Sequence, residues 1–375
     1  MTTTLHELNA TIAYDGTRRV EHENELTGRY DKILESQRLS WTTHQRLNRL
    51  LGKGGQGVVY LSERRGADGF TLPIALKVFS PARYASVKEY ELAMVRIAHV
   101  AARVAQIQQD HLVHVHNFVD RDRIRMLSME WVDGCDVRRV LCNETLRLIE
   151  HRVSEKRWEY MNNVVVTEGL EQPRLKAGVA MAIVRDCLAG LAALHREGIV
   201  HGDVKPANIM LKRSGSAKLI DIGSAFETSD PPASRTCTPR YAAPEVLEGG
   251  EASSRSDLAS LGYCLLEMLA GRPLFTDLTH YKDLLEAKRM LPQQLHELLP
   301  EEITVNELLM TFCRGLISPD PMRRFPTAEE ADLLDNGAAA FQRQLVRSNL
   351  SVEYTNEIRL WIEEIKDLEE FAGQV

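Results

Sequence analysis

The sequence predicts an α+β chain of two lobes, a small strand-rich lobe with one long helix and a larger, mainly helical lobe. Strand patterns come first, because "RLNRLLGKGGQGVVYLSERR", "LPIALKVF", "HLVHVHNFV" and "RIRMLSMEWV" carry the β-branched and aromatic residues typical of strands. One helical pattern, residues 86–108, interrupts them. Its apolar residues Leu92 and Val95 mark the face that we expect to point inward.

Helical patterns dominate the second lobe. The stretch "RSDLASLGYCLLEMLAG" is almost wholly apolar and ends at Gly271, with Pro273 two residues later, as helix C-termini often do. Two further stripes have helical spacing: Ile183, Cys187, Leu188, Leu191 and Leu194 in the first, and Leu360, Trp361, Ile365 and Leu368 near the C-terminus. We expect the C-terminal stripe to pack on the surface of the domain.

Changes in composition predict the boundaries of the domain. The predicted units are an N-terminal extension (1–43), a folded domain (44–335) with a small lobe (44–130) and a large lobe (136–335), an insert at about 142–175, and a C-terminal helical extension (336–375). The insert is highly charged and contains Trp158 and Tyr160. Such a long segment is consistent with two interpretations. It is a solvated helical or hairpin insertion on the surface, or it is a docking site for a substrate or partner.

Composition and charge exclude several classes of function. The chain has 375 residues, 26% of them charged, and a net charge of −7, so no basic face for nucleic acid is expected. Its six cysteines are scattered, which favours thiols in a reducing compartment. The N-terminus lacks the pattern of a signal peptide, and the most apolar segment is broken by Arg185 and Asp186. We therefore expect a cytoplasmic protein that is not inserted in a membrane.

The first motif for phosphate binding is "GKGGQGVV", with Gly52, Gly54 and Gly57 in a G-x-G-x-x-G arrangement. Glycine allows a backbone turn to fold closely over phosphate oxygens and to offer its N–H groups. Alone, the motif is a weak signal and favours a plain glycine turn in a hairpin. A strand follows the glycines, whereas a dinucleotide-binding motif requires a helix there.

The next candidate is Lys77, at the end of the apolar strand "IALK". A buried ammonium group is costly without a partner, and either a phosphate or a carboxylate would serve. Glu91 is the expected carboxylate, because its neighbours Leu92 and Val95 are predicted to face inward with it; Glu89 is the alternative.

Together, "GKGGQGVV", "IALK", "HGDVKPAN", "DIG", "AAPE" and "SDLASLG" resemble the protein kinase superfamily, in its eukaryotic-like (Hanks-type) serine/threonine branch. The motifs follow the order of that family and extend over about Arg46 to Leu334. The resemblance implies a bilobal kinase fold with ATP in the cleft.

The resemblance also implies roles for individual residues. Asp203 would accept or orient the substrate hydroxyl proton, Lys205 would neutralise charge on the transferred group, and Asn208 and Asp221 would hold Mg²⁺. The implied catalytic residues are Asp203, Lys205, Lys77, Glu91 and Thr238. The implied ATP-binding residues are Gly52, Lys53, Gly54, Gly55, Gln56, Gly57, Val59, Ala75, Lys77, Met129, Glu130, Val132, Asp136 and Met210. Glu245, Asp257 and Arg324 would stabilise the lobe.

Gly202 and Ile222 depart from the pattern of the family. Many kinases carry at the first position an arginine that pairs with a phosphorylated activation loop. Glycine lacks that cation, so we expect activity that does not depend on phosphorylation of the loop, although Thr228, Ser229, Ser234 and Thr236 are available acceptors. Ile222 replaces a phenylalanine in "DIG" and still supplies an apolar side chain.

The sequence favours an active, ATP- and Mg²⁺-dependent serine/threonine protein kinase that acts on proteins, with itself as one candidate substrate. A small-molecule kinase of the aminoglycoside or choline type is the first alternative, because "HGD" with an Asn five residues after the Asp also resembles those enzymes. They lack the "APE" segment and its arginine partner. A nucleotide-binding pseudokinase scaffold is the second alternative, but Lys77, Asp203, Asn208 and Asp221 are all present.

Overall fold

The structure is a computed structural model that describes most of the chain. The described residues are 12–13, 25–36, 38–40, 44–66, 68–232, 236–278, 280–347 and 354–372. As predicted, it is an α+β fold with a small lobe built on a sheet and a larger helical lobe.

The strands and helices include several that the sequence patterns did not predict, among them the helix Glu25–Ser36 in the N-terminal extension. The strands are β1 (Ile12–Ala13), β2 (Arg38–Ser40), β3 (His44–Gly54), β4 (Gly57–Arg65), β5 (Thr71–Phe79), β6 (Val115–Arg121), β7 (Ile124–Glu130), β8 (Gly134–Asp136), β9 (Val166–Thr167), β10 (Arg174–Leu175), β11 (Ile199–Val200), β12 (Ile209–Lys212), β13 (Ala217–Leu219), β14 (Phe226–Glu227) and β15 (Thr236–Cys237). The helices are α1 (Glu25–Ser36), α2 (Val87–Val104), α3 (Val137–Val140), α4 (Asn143–Glu150), α5 (Glu155–Val164), α6 (Ala177–Arg196), α7 (Pro244–Leu247), α8 (Ser254–Ala270), α9 (Tyr281–Met290), α10 (Leu295–Leu298), α11 (Glu301–Thr304), α12 (Glu307–Ile317), α13 (Ala328–Leu333), α14 (Ala338–Arg347) and α15 (Tyr354–Ala372).

The small lobe is an antiparallel six-stranded sheet in the order β2-β3-β4-β5-β7-β6. Part of the predicted N-terminal extension belongs to this lobe, since β2 pairs with β3. Helix α1 also packs there through the buried side chains of Leu26, Tyr30 and Ile33. The strand β1 pairs instead with β15, with Ile12 opposite Cys237.

The long helix α2 forms where the sequence predicts it, but the predicted inward face is wrong. Leu92 is 55% exposed and Val95 is 65% exposed. The buried residues are Tyr90 and Met94 and, further along, Val100, Ala101 and Val104. Both stripes have helical spacing, and the aromatic Tyr90 buries more apolar surface against the sheet than Leu92 would.

The large lobe is organised around α6 and α8. All five residues of the predicted α6 stripe are buried. The apolar helix α8 ends at Gly271, as predicted, where φ is +68°. Among the described residues, α6 alone has the length and apolar composition of a membrane span, and 72% of that window is buried inside the domain.

The insert and the C-terminal extension pack against each other on the large lobe. The insert contains α4, α5 and the short hairpin of β9 and β10. Of the predicted apolar stripe, α15 buries Trp361 and Ile365, Leu360 is half-buried, and the side chain of Leu368 lies outside the described residues. Arg157 of the insert donates to Glu364 (Nε–Oε1 2.8 Å) and to Glu357 (3.0 Å) of α15. The tail is therefore an integral part of the lobe.

Candidate active site

The glycine motif forms a tight hairpin between β3 and β4. Gly54 lies opposite Gly57, and Gly55 and Gln56 form the turn. Gly57 has a φ of +141°, and a Cβ atom there would lie 2.0 Å from the carbonyl oxygen of Val78. No other residue fits at this position, because its backbone conformation and the close approach of β5 both exclude a side chain.

Lys77 extends from β5 to the start of the activation segment. Its buried ammonium group pairs with Asp221 Oδ1 and donates to Gln56 Oε1 at 2.5 Å. Burial lowers the pKa of Lys77, and the Asp221 carboxylate opposes that shift. Burial would raise the pKa of Asp221, but the Lys77 ammonium outweighs it and lowers that pKa to about 2. The Asp221 carboxylate is therefore ionised at neutral pH.

The predicted partner of Lys77 is wrong in this structure. Glu91 Oε1 accepts hydrogen bonds from Arg123, at 3.1 Å from Nε and 2.9 Å from Nη2. The alternative, Glu89, accepts from the backbone N–H of Ala85 at 3.0 Å. The cause is the face that α2 buries, with Tyr90 and Met94 inward, which places Glu91 on the same side as the turn between β6 and β7.

The catalytic loop places Asp203 at the centre of a polar cluster. Its Oδ1 accepts from Thr238 Oγ1 at 2.7 Å and from the Thr238 backbone N–H at 3.1 Å. Its Oδ2 accepts from Lys205 Nζ at 2.7 Å, and Lys205 also donates to Thr238 Oγ1 at 2.8 Å. Residues from the catalytic loop and from the segment before "AAPE" thus orient one buried carboxylate, as the resemblance implies.

Asp257 of α8 supports the loop from below. Its Oδ2 accepts from the backbone N–H of His201 (2.8 Å) and from His195 Nε2 (2.9 Å). Its Oδ1 accepts from the Gly202 backbone N–H at 2.9 Å. The motif "SDLASLG" predicts a stabilising role for Asp257, whereas no motif points to His195.

Gly202 has a conformation that suits glycine, with a φ of +75°. A Cβ atom there would lie 2.9 Å from the carbonyl oxygen of Ser224. Glycine at this position therefore suits the backbone conformation of the loop, in addition to lacking the charge of the arginine in other kinases.

We predict that Gly202→Ala destabilises the protein by about 1–2 kcal/mol, because a side chain is strained in the left-handed region. Gly28→Ala is the matched control. Gly28 lies in α1, and nothing lies within 4 Å of the added Cβ atom, so alanine should stabilise that helix by about 0.5–1 kcal/mol. Thermal or urea unfolding measures both variants. Equal stability of the two variants would contradict the prediction.

Asn208 and Asp221 have the chemistry of ligands for a hard cation. The side-chain amide of Asn208 donates to the carbonyl oxygen of Asp203 at 2.8 Å, which fixes the orientation of the amide. The Asp221 side chain is 29% exposed, so it is accessible from the cleft. The described residues contain no cluster of three or more His, Cys, Asp or Glu that would hold a metal alone. A carboxylate and an amide oxygen fit a cation that also binds substrate phosphates.

Four of the predicted nucleotide-binding residues form two cross-strand pairs, one in the sheet of each lobe. Ala75 lies opposite Met129 in the sheet, and Met210 lies opposite Asp136. Burial raises the pKa of Asp136. The remaining predicted nucleotide residues stand on the hairpin or its neighbours: Gly52, Lys53, Gly54 and Val59 on β3 and β4, and Glu130 and Val132 at the connection.

Two polar contacts at the junction could not be predicted from the motifs. Lys218 pairs with the Glu130 side chain at 2.5 Å. The backbone N–H of Glu130 donates to the His114 carbonyl oxygen at 2.9 Å. The Glu130 carbonyl is therefore the backbone group of this residue that can accept a hydrogen bond from adenine. Lys218 lies in "AKLI", and no pattern distinguishes it from a surface lysine.

Glu245 and Arg324 form the predicted ion pair. Two parallel hydrogen bonds of 2.7 Å join their side chains. Arg324 also donates to the backbone carbonyl of Ser318 at 2.7 Å, and Ser256 Oγ donates to Glu245 at 2.8 Å. This network anchors the end of the activation segment to the large lobe. Of the predicted acceptors in that segment, Ser234 lies outside the described residues.

Comparison with known proteins agrees with this geometry. The family model described as the protein kinase domain matches residues 45–332. The chain is 32% identical over 231 residues to serine/threonine-protein kinase PknD of Mycobacterium tuberculosis, a match that covers 60% of this chain and 30% of PknD. It is 31% identical over 231 residues to PknH and to PknL of Mycobacterium bovis, covering 60% of this chain and 33% and 49% of those proteins. The match therefore spans about a third to a half of the relatives.

Proposed function

Because the chain belongs to the protein kinase family, we propose that it transfers the γ-phosphoryl group of ATP to serine and threonine hydroxyls of proteins. The observation that carries the proposal is the buried Asp203 carboxylate, which Thr238 and Lys205 orient at 2.7 Å each. That threonine suits a serine/threonine kinase, since its hydroxyl contacts both the aspartate and the lysine.

Three side chains of the site have separate roles in the proposed reaction. Asp203 receives the proton of the acceptor hydroxyl, whose oxygen forms a bond to the γ-phosphorus while the bond to the ADP oxygen breaks. Lys205 lies beside Asp203, where it neutralises charge on the transferred group. Lys77, with its positive charge at the end of β5, binds the phosphates of ATP.

We propose that the divalent cation used by this family is Mg²⁺ here, held by Asn208 and Asp221. Bound there, it would neutralise the charge on the phosphate oxygens. The low pKa of Asp221, about 2, favours this role because the carboxylate is ionised throughout the physiological range.

The anchored activation segment favours protein acceptors over small molecules. Aminoglycoside and choline kinases lack the "APE" segment, whereas here Glu245 and Arg324 hold that segment next to Thr238 and Asp203. We further propose a cytoplasmic location, since the six cysteines are thiols and do not form disulfides with one another. Autophosphorylation belongs to the proposal as well, with Thr228, Ser229 and Thr236 as acceptors.

The test is transfer of labelled phosphate from ATP and Mg²⁺ to a basic protein and to an aminoglycoside, offered in parallel. We expect label on serine and threonine of the protein and none in a parallel reaction with Asp203→Asn. Label on the aminoglycoside alone would favour the small-molecule alternative. If ATP binds and no acceptor is labelled, the chain is a scaffold and the proposal is wrong.

A further inference from the structure

The strand β1 pairs with the segment that leads into the catalytic cluster. Its residues, Ile12–Ala13, form an antiparallel pair with Thr236–Cys237, which is the strand β15. The residue after β15 is Thr238, whose backbone N–H and hydroxyl both donate to Asp203 Oδ1, at 3.1 and 2.7 Å. Residues from the start of the chain therefore run beside the backbone that orients the catalytic carboxylate.

The strand β1 comes from outside the family domain, because the match to the kinase family begins at residue 45. The two strands form a sheet of their own, and among the described strands β15 pairs with β1 alone. Without β1, the N–H and C=O groups of β15 would form an open edge, which is a template for another extended chain. A segment that precedes the kinase domain therefore covers an edge beside its catalytic aspartate.

The pairing is short enough to be exchanged. Only two residues pair on each strand, and even a longer two-stranded ribbon is marginally stable in water. The strand β15 has contacts of its own, since Thr236 Oγ1 lies 3.1 Å from Ser224 Oγ and Cys237 is buried. The edge can therefore persist when β1 leaves, and another extended segment can bind through the same main-chain groups.

The acceptor of the proposed reaction has to pass close to this edge. Its hydroxyl must come within hydrogen-bond reach of Asp203. Paired strands lie about 4.8 Å apart, so a chain added to β15 runs alongside the residue that contacts this carboxylate. We propose that a protein acceptor adds to β15 as an extended strand and that Ile12–Ala13 competes with it for the edge. The inference rests on the proposed function, because it states how the acceptor of that reaction is bound.

The variant Ile12→Pro with Ala13→Pro tests the competition. Successive N–H groups of a strand point to opposite sides, so one of the two prolines removes a donor that faces β15. We expect the KM for a basic protein acceptor to fall roughly 3- to 30-fold, the size of one or two main-chain hydrogen bonds, because the edge is then open. The kcat and the Kd for ATP should stay within about twofold of wild type, since no residue proposed for catalysis or for ATP binding is changed.

Two control variants separate the strand pairing from other effects. Ile12→Val with Ala13→Val changes both side chains, keeps both N–H groups and favours a strand. His6→Pro with Glu7→Pro places two prolines earlier in the N-terminal extension. We expect both controls to keep the wild-type KM within about twofold. An unchanged KM for the proline pair at Ile12–Ala13, or an equal fall for the pair at His6 and Glu7, would overturn the proposal.

A labelled peptide of residues 8–17, "LNATIAYDGT", tests the edge without catalysis. In the absence of ATP, we expect fluorescence anisotropy to show that it binds the full-length Ile12→Pro, Ala13→Pro protein roughly 3- to 30-fold more tightly than the wild type. The unlabelled basic protein should displace it. Equal affinity for the two proteins, or no displacement, would contradict the proposal. If the peptide binds as expected and is displaced, but no protein is phosphorylated, the proposed function fails and the competition for β15 stands.

Discussion

Asp203→Asn lowers the rate of phosphoryl transfer by about 10²- to 10⁴-fold, the usual contribution of a general base. The amide cannot take the proton of the acceptor hydroxyl. It also disturbs the cluster, because both carboxylate oxygens accept hydrogen bonds, one from Thr238 and the other from Lys205. An amide group offers one acceptor oxygen, so one of these donors must face an NH₂ group.

The measurement is kcat with ATP and a protein acceptor, together with the Kd for ATP. We expect kcat to fall and the Kd to change by less than about threefold, since the Lys77 ammonium group donates its hydrogen bonds to Asp221 and Gln56. Asp110→Asn is the control, because Asp110 is exposed and the chemical change is identical. A variant at Asp203 that keeps more than about a tenth of the wild-type rate would show that another group takes the proton.

Arg324→Met is expected to reduce the free energy of unfolding by about 3–5 kcal/mol. The Arg324 side chain is 0% exposed, and its removal leaves the Glu245 carboxylate in a buried site without its cation. The backbone carbonyls of Ser318 and Arg255 lose a donor in the same step. Such orphaned buried groups carry most of the cost.

Arg323→Met is the control, since the adjacent arginine is 82% exposed and its pair with Asp320 measures 3.7 Å. Its cost should be below about 1 kcal/mol. Urea unfolding compares the two variants, and the double variant Glu245→Met with Arg324→Met should recover part of the loss because no charge is left unpaired. Equal stability of the two single arginine variants would mean that the buried pair does not hold the activation segment.

The contiguous motifs allowed much of the site to be predicted from sequence. Asp203, Lys205 and Asn208 lie within six residues, and a catalytic loop that short leaves few arrangements for its side chains. Thr238 and Asp257 come from distant motifs, yet both contact the loop as expected. Both residues were predictable because they belong to motifs that occur in the same order throughout the family.

The partner of Lys77 could not be predicted, for a physical reason. Helix α2 carries two apolar stripes with the same period, and only packing against the sheet decides which one is buried. Because Tyr90 is buried and Leu92 is not, Glu91 faces Arg123. Arg123 lies in a turn and has a positive φ, and the helical pattern of α2 does not predict the position of that turn. Gln56 was recognised only as part of the glycine loop, because the sequence says nothing about the space beside Gly223.

The packing of the C-terminal helix against the lobe junction also limits how the two lobes can move. Lys366 of α15 pairs with both oxygens of Asp133, at 2.9 and 3.0 Å, and the Asp133 carbonyl accepts from the backbone N–H of Arg213. Asp133 is therefore fixed to the large lobe, while β7 ends at Glu130 in the small one. The two residues between these fixed points, Trp131 and Val132, are then the hinge about which the lobes rotate when the cleft opens and closes. The last helix of the chain anchors the large-lobe end of this hinge.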